Sequence, residues 1–230
     1  MKKKIVVFSG AGISAESGLD TFRDNGGLWD NYDIDEVATP EAWQKNPHLV
    51  LDFYNIRRKS ASDALPNIAH KTIGDLEHDF EVVVITQNID DLHERGGSSN
   101  VIHLHGEVNK VRSTGTNEIY HQGIDPLLFG DVCPKGHQLR PHVVWFGEQV
   151  PNLAIAHDVI SLADILIVTG TSLNVYPAAG LIHAANDKAA KYLVDPSDQL
   201  RISQIKNLTV IKEKATFGIP KVAQLIKNQL

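Results

Sequence analysis

Sulfur is scarce in this chain, which has one cysteine, Cys133, and one methionine among 230 residues. A lone cysteine excludes an intramolecular disulfide and suits a reducing compartment, so a cytoplasmic location is expected. Long apolar runs are missing too, and no stretch approaches the roughly 18 apolar residues of a membrane span. Met-Lys-Lys-Lys ahead of an apolar run imitates a signal peptide, but Ser9 and Gly10 cut that run short. Excess positive charge is lacking: the formal net charge of -6 argues against general nucleic-acid affinity. Repeats and low-complexity segments are absent as well. What remains is a chain with 42% hydrophobic residues, long enough to bury an α/β core as one domain.

The stretch around which the rest is organised is Ile5-Val-Val-Phe-Ser-Gly-Ala-Gly-Ile-Ser-Ala-Glu-Ser-Gly18. Ile5 to Phe8 has the β-branched pattern of a buried parallel strand. Gly10, Gly12 and Ala15 follow in the G-x-G-x-x-G/A spacing of a dinucleotide loop. In that spacing Gly10 allows the tight turn, Gly12 lets a phosphate approach, and Ala15 permits close packing of helix on strand. The helix opening there is expected to offer free N–H groups and its positive dipole end to an anion. A glycine turn leading into a core helix is the competing reading.

Further strands are expected at Glu81–Thr86, Val101–Leu104, Val143–Phe146, Ile165–Thr169, Lys191–Val194 and Leu208–Ile211. Helices are expected over about 46–64, 66–78, 151–163, 176–187 and 217–229. The alternation predicts an α/β fold, a Rossmann-like, mostly parallel sheet with helices on both faces. Residues 19–46 show no strong period and suggest a loop that folds over a ligand. Residues 107–141, rich in glycine and turn residues, suggest a loop-rich insertion. The polar clusters Gly10-Ala11-Gly12, Gln87-Asn88-Ile89-Asp90, His105-Gly106-Glu107 and Gly170-Thr171-Ser172, together with Asp195, all follow strands. Ligands of open parallel sheets bind outside those carboxyl ends.

Five motifs then carry a family resemblance: Gly10-Ala-Gly-Ile-Ser-Ala-Glu-Ser-Gly18, Thr86-Gln-Asn-Ile-Asp-Asp-Leu-His93, His105-Gly-Glu107, Leu139-Arg-Pro-His-Val-Val-Trp-Phe-Gly-Glu148 and Gly170-Thr-Ser-Leu173. Together, in order and over nearly the whole chain, they resemble the sirtuins, NAD-dependent protein-lysine deacylases. A dehydrogenase is a poorer match, because residues 19–64 read as loop and helix where its second strand would stand. The resemblance implies one catalytic domain over residues 1–230, with a small lobe built from insertions at about 19–64 and 107–141. It implies acylated lysine side chains of proteins as substrate partners. A monomer is expected, with no nucleic-acid or membrane partner.

The resemblance assigns the NAD site to Gly10, Ala11, Gly12, Ser14, Ala15, Phe22, Arg23, Gln87, Asn88, Ile89, Asp90, Gly170, Thr171, Ser172, Asp195 and Ala215. It implies that Asp90 and the Ile89 backbone hold the carboxamide while Asn88 and Gln87 position the ribose. Phe22 would screen the sugar, and Asp195 stands where many relatives have asparagine. His105 is the candidate base, an imidazole near neutral pKa at a strand end beside Gly106. His103 and His105 are expected to alternate along one strand; His93, His121, His137 and His142 have no comparable claim. In the implied reaction the acyl oxygen attacks C1′ as nicotinamide leaves, and His105 deprotonates a ribose hydroxyl. The products are free lysine, nicotinamide and O-acyl-ADP-ribose.

Tyr54 and Arg57 lie one helical turn apart, so both project from one face. A guanidinium fork matches a carboxylate and a phenol adds a hydrogen bond. The pair resembles the Tyr-x-x-Arg of sirtuins that remove succinyl and malonyl groups, with Ala42 consistent with a widened pocket; acetyl is expected to be accepted too. Trp145, Phe146, Gly147 and Glu148, opposite Asn174 and Val175, are implied to hold the substrate peptide as an added strand. Most sirtuins bind zinc through two Cys-x-x-Cys pairs, but here those positions read Ser113, Thr116, Cys133 and Gly136. Four thiolate or imidazole ligands are not available there, so no metal is expected. Two alternatives stay open: a protein mono-ADP-ribosyltransferase, and a non-enzymatic NAD sensor that would not need His105.

Overall fold

The computed structural model describes residues 2–21, 32–171, 178–197 and 205–228. In chain order the elements begin with β1 (Lys4–Ser9) and a single helical turn, α1 (Gly12–Ala15). There follow α2 (Ile34–Val37), α3 (Pro40–Lys45), α4 (Pro47–Asp63), α5 (Ile68–Asp75), β2 (Glu81–Thr86), α6 (Leu92–Arg95) and β3 (Val101–His103). The middle of the chain forms β4 (Gly106–Ser113), β5 (Ile119–His121) and β6 (Leu139–Val143). The last third carries α7 (Leu153–Ser161), β7 (Ile165–Thr169), β8 (Ala190–Val194), β9 (Leu208–Ile211) and α8 (Ala215–Lys227).

Six of the strands form one sheet in the order β3-β2-β1-β7-β8-β9, every pairing parallel. Their β-branched sequences suit a sheet buried on both sides, and the period of two sends alternate residues to opposite faces. Ile5, Val7, Val82, Val84, Ile165 and Ile167 pack with Ile73 of α5 and Ile219 of α8. Val6, Phe8, Ile85, Leu166 and Val168 pack on the other face with Ala156 and Ile160 of α7. The chain runs from β1 outward through β2 to β3, then returns beside β1 as β7. The strand order reverses there, and a crevice opens at that point in such sheets.

A second, three-stranded antiparallel sheet has the order β5-β4-β6. Its Val108 and Val143 share a core with Val37, Val50, Phe53, Tyr54 and Trp145. Thus α2, α3 and α4 pack over β4 and β6. The caps explain where these helices start. Asn46 accepts from the Leu49 N–H ahead of Pro47, and Thr39 accepts from the Ala42 N–H ahead of Pro40.

Several expectations need correction. The strand expected over Val143–Phe146 ends at Val143 and belongs to the antiparallel sheet. The backbone then turns, because the Glu148 N–H donates to the Trp145 carbonyl while the Glu148 carboxylate accepts from the Trp145 N–H. The helix expected over 176–187 is a 3-10 helix over Ala178–Ala184. The loop expected over 19–46 contains α2 and α3, and the insertion at 107–141 is a sheet with long turns. The helix after the glycine loop is only one turn long.

One lysine is held inside. Lys191 is 3% exposed, and its ammonium donates to the carbonyls of Asn186, Ala189 and Lys206 at 2.7, 3.1 and 3.2 Å. Those carbonyls flank β8 and β9, and the ammonium ties the far edge of the sheet together.

Beneath the sheet's carboxyl end, His70 and His93 are fully buried with ring centroids 5.0 Å apart. His70 Nδ1 accepts from the Asn67 N–H at 3.3 Å, and His93 Nε2 is 2.8 Å from the Ser9 hydroxyl. Burial pushes His70 down to about 4 and His93 well below its ordinary value, so both rings are neutral when folded. The unfolded chain takes up protons on both below about pH 6.5, so stability falls with pH between about 6.5 and 4. His70 alone accounts for about 3 kcal/mol of that loss. In urea unfolding, His70→Leu is expected to flatten the dependence between pH 7 and pH 4.5; an unchanged slope would remove His70 as its source.

Candidate active site

The crevice where the strand order reverses is a cavity of about 960 Å³, at the upper end of the range for ligand pockets. Its floor is made of two loops in backbone contact. The Gly10 N–H donates to the Thr169 carbonyl at 3.1 Å, and the Gly12 N–H donates to Gly170 at 2.8 Å. A Cβ on Gly12 would lie 2.8 Å from the Gly170 Cα, and Gly170 itself has φ +62°. Gly12 was expected to make room for a phosphate. In the structure its missing side chain makes room for Gly170, and its N–H is engaged. The N-terminus of α8 is likewise occupied, since Glu16 accepts from the Thr216 N–H and hydroxyl at 3.2 and 2.8 Å.

One wall is the loop after β2. Asn88 Nδ2 donates to the Ser14 hydroxyl at 3.1 Å, and Ser14 donates to Asp90 at 3.2 Å. Asp90 also accepts from the Leu92 N–H. Burial raises the Asp90 carboxyl, against the lowering effect of those two bonds. The Ile89 carbonyl accepts from Val108, and Gln87 Nε2 reaches Thr171 Oγ1 at 3.2 Å across to the β7 loop. An amide and a carboxylate after β2 and a hydroxyl after β1 are therefore fixed side by side.

His105 lies past the end of β3 and not within it. Its Nδ1 is 3.0 Å from the Gln87 carbonyl. A carbonyl only accepts, so Nδ1 carries the proton and Nε2 keeps its lone pair. Burial lowers the ring's pKa, and the bond to Gln87 opposes this. The following Gly106 has φ +81°, and a Cβ there would lie 2.1 Å from the His142 carbonyl. The pairing of histidine with glycine therefore has a packing reason.

The opposite wall comes from the small sheet and α4. Tyr54 is buried, and burial pushes its phenol up to about 12 despite the nearby Arg57 charge. Trp145 is buried under the Arg140 guanidinium, whose carbon lies 3.2 Å from the ring centroid. Glu148 clamps this region, accepting from Arg112 at 2.9 Å and from Arg140 at 2.8 and 3.1 Å. Burial works to raise the Glu148 carboxyl, but the bonds from Arg140 and from the Trp145 N–H hold it below its usual value.

The cavity brings together nearly all the residues expected there. Gly10, Ala11, Gly12, Ser14 and Ala15 line it with Gln87, Asn88, Ile89, Asp90 and His105. So do Gly170, Thr171, Asp195 and Ala215, and on the other wall Tyr54, Arg57, Trp145, Phe146, Gly147 and Glu148. Asp195 is turned back on its own loop, accepting from the Ser197 N–H at 2.9 Å. Phe22, Arg23, Ser172, Asn174 and Val175 lie outside the described residues. Ala42 is not on the wall but behind it, in the core with Tyr54 and Trp145. Sequence reading missed the clamp: Glu148 was expected only along the peptide, and Arg112 and Arg140 were given no role.

Ser113, Thr116 and Cys133, which stand where most sirtuins carry zinc ligands, are joined by hydrogen bonds. The Ser113 hydroxyl accepts from the N–H groups of Gly115 and Thr116 at 3.3 and 3.2 Å and from Cys133 Sγ at 3.3 Å. Glu118 accepts from Lys135 at 2.7 Å and from Tyr120 at 2.8 Å, bridging the two turns.

A parallel sheet with its polar loops gathered at the reversal point defines a Rossmann-like nucleotide-binding protein. Within that class, residues 10–177 match the model of the Sir2 family. A Helicobacter pylori protein called NAD-dependent protein deacylase is 52% identical over 227 residues, which cover 97% of this chain and 99% of that protein. A Sir2 homologue solved as an NAD complex matches with a TM-score of 0.86 and 39% identity, over 99% of this chain and 91% of that one. A Sir2 structure with a deacetylated p53 peptide and 3′-O-acetyl-ADP-ribose matches at 0.79 and 28% identity, over 99% and 94% of the two chains. The chain belongs to the Sir2 family, the sirtuins.

Proposed function

We propose that the chain is an NAD-dependent protein-lysine deacylase in which His105 is the general base and Asn88 and Asp90 orient the cofactor. The observation that carries this is the His105 ring, fixed through Nδ1 so that a basic Nε2 remains beside the cavity. The site fits NAD by volume and by its polar groups, the Asp90 carboxylate and Asn88 carboxamide after β2 and the Ser14 hydroxyl after β1. NAD supplies a glycosidic bond whose cleavage releases nicotinamide and leaves a ribose carbon to receive the acyl oxygen. The chain's own part is to grip the carboxamide with Asp90 and the Ile89 backbone and to place the ribose with Asn88 and Gln87. His105 takes a proton from a ribose hydroxyl at Nε2. Because burial keeps that ring neutral at pH 7, it is ready to accept one. His105→Ala is expected to slow deacylation of an acylated peptide by a factor on the order of 10² or more. Unchanged formation of the deacylated peptide by that variant would overturn the assignment.

The finer reading is a preference for succinyl- and malonyl-lysine, with acetyl-lysine accepted. It is supported by Tyr54 and Arg57, which share one helix face and the same cavity wall. A half-buried guanidinium beside a phenol kept protonated by burial offers N–H and O–H donors, the complement of a carboxylate. Arg57→Met is expected to cut desuccinylation by about 10- to 100-fold, the worth of a charged hydrogen-bonded pair, and to leave deacetylation within about twofold. Equal loss of both activities would remove the preference.

The reading includes no zinc and places Phe22 and Arg23 by the sugar and phosphates, with Gly147, Glu148, Asn174 and Val175 along the peptide. The Glu148 N–H is engaged in its own turn, so its role there is to fix the turn and offer its carbonyl. Ser113, Thr116 and Cys133 are joined by hydrogen bonds in place of thiolate ligation. Elemental analysis of the purified protein is expected to find far less than one equivalent of zinc, and a stoichiometric amount would contradict the reading.

A further inference from the structure

His103 and His105 stand two residues apart and bond consecutive carbonyls of the same loop. His105 Nδ1 meets the Gln87 carbonyl at 3.0 Å, and His103 Nδ1 meets the Asn88 carbonyl at 3.1 Å. Beyond that bond their situations diverge. His103 Nε2 lies 2.8 Å from the Glu94 carboxylate, and the ring is 9% exposed. A carbonyl and a carboxylate both only accept, so both ring nitrogens of His103 must donate and the ring is a buried imidazolium.

The surroundings agree. Facing the ring are Glu94 of α6, Glu107 of β4, Asp90 of the loop and the neutral His93. Glu107 is itself held by Lys110 at 2.6 Å. Burial works against the charge on His103, yet Glu94 first, then Glu107 and the Asn88 carbonyl, hold the proton on. The backbone of Asn88 is thereby fixed at both ends, its N–H by the Thr86 hydroxyl at 3.0 Å and its carbonyl by His103. Its side chain reaches Ser14 at the cavity, donating to that hydroxyl at 3.1 Å.

We propose that Glu94 and His103 form a charged strut that holds the Asn88 carbonyl and so aims the Asn88 carboxamide at the cofactor, His103 being a positioning residue that must keep both ring protons. This rests on the reading of Asn88 and His105 given above. When the strut loses its proton, one of the two bonds fails and Asn88 is released. Binding of NAD then weakens on the alkaline side, whereas the acid side follows His105.

The test uses the full chain, with ¹⁵N-histidine NMR and the pH profile of kcat/KM for NAD. At pH 7.5 both His103 ring nitrogens are expected to be protonated, whereas His105 is expected to carry a proton on Nδ1 alone. Glu94→Gln keeps an acceptor but removes the charge. It is expected to lower the His103 titration by about one unit or more and to move the alkaline limb of kcat/KM with it, leaving the acid limb in place. His103→Gln carries no charge and lacks the two separate ring donors that span both acceptors, and is expected to lower kcat/KM for NAD roughly tenfold and to abolish the alkaline limb. A neutral His103 ring at pH 7.5, or an alkaline limb unmoved in folded Glu94→Gln protein, would overturn the proposal. Failure of the underlying reading looks different: His105→Ala would stay active while the His103 ring signals remained those of an imidazolium.

Discussion

Everything in the site depends on how closely the loops after β1 and β7 approach each other. Gly10 and Gly12 touch Thr169 and Gly170 through backbone alone, and any side chain at the interface would force the two apart. Because these strands are neighbours in the sheet, that contact fixes the distance between the halves of the crevice. Ser14, one turn further on, is thereby placed to receive Asn88 and to donate to Asp90. The glycines serve the architecture first and a ligand through it.

Onto this floor the fold mounts two walls of different chemistry. The loop after β2 offers neutral or weakly acidic groups in a water-poor setting, where small differences in surroundings decide who holds a proton. His103 and His105 show this within three residues: one ring faces a carboxylate and is charged, and its neighbour faces only a carbonyl and is not. The opposite wall is backed by charge, with Arg112 and Arg140 closed on Glu148 and Trp145 under a guanidinium. Removing one member of such a cluster leaves the others partly buried and unmatched.

Much of this was legible in the sequence. The β-branched runs gave the parallel strands because such runs have few other stable uses, and polar clusters after strands pointed to one rim. What was not legible depends on contacts between distant segments. Nothing local in Val143–Phe146 marks the stop at Val143, since the Glu148 carboxylate that takes the Trp145 N–H sits on the next turn. Gly12 fitted a phosphate motif, and only the partner loop reveals why a side chain is excluded there. His103 looked idle beside His105 because its meaning lies in Glu94, nine residues earlier and on another element. Ala42 matched a pattern of pocket residues, but the packing of α3 sets it behind Tyr54 and Trp145.

Lys191 carries a consequence of its own for a protein of the deacylase family. All three protons of its ammonium are held by main-chain oxygens at the margin of the sheet, so no acyl donor reaches that nitrogen while the protein is folded. An acyl group could be attached only to a chain not yet closed, and there it would replace a cation by a bulky amide. The last two strands would then lack their clasp. The folded chain thus keeps one of its own lysines beyond the reach of acylation.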